Sequence, residues 1–183
     1  MMQISVRFTL LVVLPLLSVQ PSSAQSLIGT PKVIDADTLS LAVRLIGIDA
    51  PERWQYCMRA DKSCYPCGTY ARNALKRLMF DPDRIEGREN EAASCINLGT
   101  DGHGRPVMQC FTPDDIDIGS LLVQAGWAVV RPEFLQDEPE ALDAYLALQT
   151  EAQQSRRGLW QGAFDDPSLW RQKRGRVCRR AGR

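Results

Sequence analysis

The order of elements predicts an α+β domain built on a small closed sheet. Segments rich in β-branched and apolar residues, at 27–35 and 38–48, come first. A helical spacing follows, with Ala71, Ala74, Leu75 and Leu78 on one face, and then two more strand-like segments at 92–98 and 106–111. Helices occupy the remainder. Strands and helices that come in runs, rather than in strict alternation, favour α+β over a parallel α/β sheet. With no internal repeat and no low-complexity linker, a single domain accounts for the body of the chain.

Each helix has a local reason. The first spans 68–79 on the spacing just given. The second spans 118–125, and Asp115 to Asp117 precede it with side chains able to accept from its free N–H groups. The third spans 141–154, entered after Pro139 and stopped before Gly158.

The first 24 residues read as a secretory signal peptide. Arg7 is the only charge, 8–19 is an unbroken run of apolar and small residues, and Ser22-Ser23-Ala24 offers small residues for cleavage. About a dozen apolar residues fall short of the ~20 that a spanning helix needs, so no stable membrane insertion is expected after cleavage. The product would be exported to the periplasm or the medium. No cysteine follows the cleavage region directly, which argues against a lipoprotein. The domain then spans 25–171, and 172–183 forms a basic tail. Residues 171–183 hold seven basic side chains and no acidic one, whereas the whole chain balances 22 against 22, so the body before the tail is acidic. Such a body is compatible with holding a cation and argues against tight nonspecific DNA storage; the tail reads as a solvated terminus, or alternatively as a polyanion contact that would make binding salt-dependent.

All six cysteines, Cys57, Cys64, Cys67, Cys95, Cys110 and Cys178, lie in the exported part, and an even count there reads as disulfides. Cys64 and Cys67 have the two-residue gap of a zinc or redox motif. No second close pair follows, and the single histidine, His103, lies far away.

Three polar clusters remain. Asp35-Ala36-Asp37-Thr38 joins two strand-like segments, Arg44 to Glu52 ends a strand in a carboxylate-rich turn, and Asp101-Gly102-His103-Gly104-Arg105 is a tight glycine turn. Singly, each reads as turn chemistry. In order, as "VIDADTL", "VRLIGIDAPE" and "DGHGR", they closely resemble the staphylococcal nuclease (thermonuclease) family. The likeness extends through "CGTYARNALKRL", "DIGSLLVQAGWAVV" and "RGLWQGAFDDPSLWR".

The resemblance implies a five-stranded OB-fold β-barrel with three packed α-helices. It implies a calcium-dependent nuclease acting on DNA or RNA and leaving 3′-phosphate products; a monomer is expected. Asp37 and Asp49 match the family's calcium-binding carboxylates, and Ala50 the backbone carbonyl ligand; oxygen donors suit a hard divalent ion. Arg44 and Arg105 match the arginines that grip the scissile phosphate, and Glu52 the carboxylate that activates water. His103 stands where relatives carry an aromatic residue, either as a nucleotide contact or as a plain turn residue. Pro132 and Phe134 fall where tyrosines cradle the nucleotide in the best-known member. Trp127, Trp160 and Trp170 read as packing residues rather than stacking platforms.

The resemblance also suggests Cys57–Cys67 and Cys95–Cys110 bridges. Cys64 and Cys178 are left over, and pairing them would tie the tail to the body; six cysteines allow fifteen connectivities in all. One departure bears on Arg44. Six residues separate it from Asp37, and as one extended strand they would set the two side chains roughly 23 Å apart at about 3.3 Å per residue. A tight turn near 40–42 is needed to bring them together. A non-catalytic role for the same barrel, in cell-envelope or exopolysaccharide (succinoglycan-type) production, is the alternative.

Overall fold

The structure, a computed structural model, describes residues 32–36, 38–40, 42–80, 93–173 and 176–178. The export signal expected at 1–24 and the calcium ligand expected at Asp37 lie outside these residues.

The described chain opens with β1 (Lys32–Asp35), which pairs antiparallel with β2 (Thr38–Ser40), Asp35 facing Thr38. Four brief strands follow, β3 (Arg44–Leu45), β4 (Ile48–Asp49), β5 (Cys57–Arg59) and β6 (Cys64–Tyr65). Helix α1 (Cys67–Phe80) leads on to a longer hairpin, β7 (Ser94–Thr100) and β8 (Pro106–Phe111). Then come α2 (Ile118–Gln124), β9 (Val129–Val130), a 3-10 turn at Pro132–Phe134 and α3 (Pro139–Gln154). A second 3-10 turn at Gly158–Gln161, β10 (Gly162–Ala163) and a fourth helix, α4 (Pro167–Arg171), complete the described chain.

The α+β class holds. Among the described residues, however, the strands form four separate sheets, ordered β1-β2, β3-β8-β7, β4-β9 and β10-β5-β6, with no closed barrel. Strands of two or three residues supply too few ladder bonds to run on into a continuous cylinder. The expected single strand at 38–48 is interrupted twice. β2 ends at Ser40 and β3 opens at Arg44, with Ala42 and Val43 in neither. Ile46 and Gly47 then form a turn in which Gly47 has a φ of +70°. Glycine is required there twice over, since a Cβ would also lie 2.6 Å from Leu135 Cδ1.

Core formation follows the two periodicities. In β8 every second residue, Pro106, Met108 and Cys110, is buried, as a half-buried strand demands. Helix α2 turns Ile118, Leu122 and Val123 onto that face, each removal from water contributing about 1.5–3 kcal/mol. Asp117 caps α2, its Oδ1 accepting from Gly119 N at 2.7 Å, and its Oδ2 accepts from Tyr145 Oη of α3 at 2.8 Å. Burial first, and then the Asp117 charge, push the Tyr145 phenol pKa up. A second cluster joins Cys57, Tyr65, Cys67, Val129 and Leu159, with Trp127 and Trp160 packed against it. Both tryptophans are therefore packing residues, and Trp170 is half-buried.

Three disulfides link Cys57–Cys67, Cys95–Cys110 and Cys64–Cys178. Cys64 and Cys67 thus belong to different bridges, and their spacing marks neither a zinc nor a redox site. Cys95 and Cys110 face each other across the β7–β8 ladder, bracing the hairpin whose turn carries Arg105. The third bridge anchors the start of the tail, where the Asp165 carboxylate also accepts from the backbone N–H groups of Arg176 and Val177 at 2.8 and 2.9 Å. No helix among the described residues is long and apolar enough to cross a membrane.

Candidate active site

Parallel pairing of β3 with β8 decides where the two arginines go. Arg44 faces Val107, so it lies beside the strand that Arg105 introduces. Between β7 and β8 the turn is pinned by backbone bonds, Asp101 N to Arg105 O at 2.8 Å and Gly104 N to Asp101 O at 2.9 Å. The Asp101 side chain completes the turn, its Oδ1 accepting from the backbone N–H of His103 and of Arg105, both at 2.9 Å. Its Oδ2 accepts from Arg105 Nε at 2.8 Å, with Arg105 Nη2 at 2.6 Å. Arg44 Nε reaches the same oxygen at 3.9 Å. Two guanidiniums can therefore address one anionic oxygen, although Asp37 lies outside the described residues. The separation of Asp37 from Arg44, and the turn near 40–42 that would close it, fall partly on residues outside those described.

The backbone hydrogen bond from Arg105, above all, holds the Asp101 carboxyl down to about 2, assisted by the Arg105 side chain and the His103 N–H. An ordinary aspartate titrates near ~3.9. The folded pKa is the lower one, so Asp101's support for the turn is complete above roughly pH 4 and is lost as pH falls through about 2. A carboxyl-carbon NMR titration should place Asp101 at the depressed value. A midpoint in the ordinary range would mean that the turn is not formed in solution.

The carboxylate side is built by β4 and the loop after it. Asp49 pairs with Val129 of β9, and its side chain is only 7% exposed. Its Oδ2 accepts from Arg131 Nη2 at 3.1 Å, and both oxygens accept from Arg171, at 2.9 and 2.7 Å. Arg171 Nη1 also donates to Glu52 Oε1 at 3.0 Å. Hydrogen bonding to Asp49, the largest cause, and to Glu52 pushes the Arg171 pKa up. Arg131 further reaches Asp166 at 2.6 Å. Burial alone would raise the Asp166 carboxyl, but Arg131 and Ser168 outweigh it and hold the group down to about 2.

Glu52 is placed by Gln55, which is fully buried. Gln55 Oε1 accepts from Glu52 N at 3.2 Å, while Gln55 Nε2 donates to Asp165 O at 2.6 Å. Helix α1 closes the other side, because Gly68 N donates to Gln55 O at 3.2 Å.

Arg44, Glu52, Arg105 and His103 line one open cleft of about 950 Å³, joined by Phe134 and Arg171. His103 and Phe134 are exposed there. Asp49 stands behind Arg171 rather than on the cleft wall, and Ala50 packs against the core beside it. Arg131, Arg171 and Gln55 had not been singled out from sequence. Each has a partner between 82 and 122 residues away, a distance at which no local spacing can signal it.

Among the described residues no group of three or more acidic, histidine or cysteine side chains is arranged to hold a metal ion. The donors present nevertheless suit calcium in kind. Asp49 and Glu52 offer hard carboxylate oxygens. Among the described residues Asp49, Glu52 and Asp166 pair with two guanidiniums, Arg131 and Arg171, so three carboxylates meet two positive charges in this cluster.

Comparison with known proteins shows the family. The family described as "Staphylococcal nuclease homologue" matches residues 42–162. The "Succinoglycan biosynthesis protein ExoI" of Rhizobium meliloti (strain 1021) is 30% identical over 141 residues, covering 75% of this chain and 66% of that protein, just under two thirds of its length. An "Uncharacterized endonuclease" of Escherichia coli O157:H7 is 26% identical over 151 residues, covering 78% of this chain and 83% of the relative. A protein of the same name from Escherichia coli matches to the same extent.

Proposed function

The chain belongs to the staphylococcal nuclease family, and on that premise we propose that it is an exported, calcium-dependent nuclease hydrolysing phosphodiester bonds of DNA or RNA. The observation that carries the reading is the convergence of Arg44 and Arg105 on one carboxylate oxygen, with Glu52 in the same cleft. Such a pair can grip a phosphate through its non-bridging oxygens and remain charged at any working pH. The charge that grows on those oxygens during attack is what fixed guanidiniums stabilise best. Glu52 orients a water and takes its proton; the water oxygen bonds to phosphorus as the bond to the 5′-oxygen breaks, leaving a 3′-phosphate. Calcium, held by Asp49, the Ala50 carbonyl and Asp37, would supply further positive charge at the phosphate. A monomer of OB-type fold, behind a signal peptide at 1–24, belongs to the same reading.

Release of acid-soluble nucleotides from denatured DNA tests it. The oxidised protein should be active with calcium and lose that activity in chelator. Absence of any calcium-dependent release would end the proposal. A second reading rests on the similarity to the succinoglycan biosynthesis protein: a non-catalytic role in cell-envelope or exopolysaccharide production. It predicts no hydrolysis under either condition, and binding of anionic polymer without cleavage.

A further inference from the structure

The last helix sets a positive charge on the two carboxylates to which the proposed function gives separate tasks. Asp166 caps α4, accepting from Ser168 N at 2.8 Å, and is tied to the body through Arg131. At the other end of α4, Arg171 bridges Asp49 and Glu52. The helix does not depend on that bridge for its position. Gln55 holds the Asp165 carbonyl, the Asp165 side chain caps the following segment, and the Cys64–Cys178 disulfide closes it. The Arg171 side chain is 36% exposed, against 7% for Asp49. Of the two partners, the arginine is the one free to swing toward solvent.

We infer that Arg171 is a built-in competitor of the divalent cation, its guanidinium and the ion exchanging on Asp49. The inference rests on the calcium reading above. A dication bonded to Asp49 at about 2.3–2.6 Å would stand beside a guanidinium already on both oxygens, and like charges at that range repel. Asp49 keeps Arg131 at 3.1 Å when Arg171 leaves, so its buried charge is never bare. Among the described residues Arg171 is the one guanidinium on Glu52; it therefore restrains the proposed base in the cation-free state and releases it as the ion arrives. Arg171 thereby sets how much calcium the site requires.

Calorimetric titration of calcium into the oxidised protein, without nucleic acid, decides the matter. Arg171→Gln should bind calcium at least about tenfold more tightly than the wild type, the scale on which an allosteric or competitive coupling is usually read. Arg171→Lys, which keeps the charge but loses the fork, should fall between them. Circular dichroism and a count of free thiols confirm that each variant is folded and fully bridged; if Arg171→Gln does not fold, the lysine variant carries the comparison. Unchanged or weaker affinity in the variants, with measurable binding by the wild type, overturns the competition and leaves the calcium reading standing. If no form binds calcium, the competition and the calcium assignment fall together, while hydrolysis measured in chelator reports separately whether a nuclease remains.

Discussion

Glu52→Gln is expected to lower the rate of phosphodiester hydrolysis by about 10²–10⁴-fold, the range that loss of a positioned general base usually costs. The substitution is nearly isosteric, and the side-chain carbonyl can still accept from Arg171, as Glu52 Oε1 does at 3.0 Å. The backbone bond from Glu52 N to Gln55 is untouched. Folding should therefore survive, and the defect should fall on kcat. KM should move little, because on the proposed reading the phosphate would be gripped by Arg44 on β3 and by Arg105 just ahead of the neighbouring β8. Steady-state kinetics on denatured DNA check this, with circular dichroism as the control. Activity within about threefold of wild type would assign the base elsewhere.

Gly68→Ala should be strongly damaging, its added methyl making the closest approach of any glycine among the described residues. In an ordinary helix the change stabilises by roughly 0.5–1 kcal/mol. Here the added Cβ would lie 1.8 Å from Glu52 O, 2.7 Å from Glu52 C and 3.0 Å from Arg53 C. Those are backbone atoms, and the neighbouring residue Cys67 is bridged to Cys57, so helix and loop cannot simply move apart. Overpacking of this kind costs about 1–3 kcal/mol, which reverses the sign given by helix propensity. Whatever shift relieves it displaces the Glu52 loop, and a misplacement of about 1 Å can cost on the order of 10²-fold in rate. Thermal denaturation and kcat should both fall. A variant as stable and as active as wild type would show that α1 does not abut the Glu52 loop in solution.

What the sequence reveals about the fold depends on how many residues each signal spans. β8 covers 106–111 as expected, because six residues suffice to show alternation. α2 starts at Ile118 just after its Asp117 cap, and α3 starts at Pro139, two residues ahead of the expected 141, since proline fits the first helical position. The strands at 57–59, 64–65 and 162–163 were not foreseen, for runs of two or three residues carry no period. α4 escaped for the same reason, with only five residues and a single clue in Asp166-Pro167. At the site, the order of three motifs was enough to point to Arg44, Glu52, Arg105 and His103, which the fold gathers at one cleft. Arg171 lies within a stretch that was matched to the family as a whole. Nothing in its neighbourhood shows that it reaches across 122 residues to Asp49.

The Cys64–Cys178 bridge makes most of the described chain a covalent ring, spanning 114 positions of sequence. A protease that cuts once anywhere inside that ring leaves two fragments that remain joined. Exposed turn tips are the preferred places for such a nick, and the tip at 102–104 is exposed. A cut there is spanned twice, by Cys95–Cys110 as well as by the larger ring. The fragment carrying Arg105 would stay fastened to the one carrying Arg44 and Glu52. In the exported setting proposed above, the bridges would convert a break in the chain from a separation into a scar.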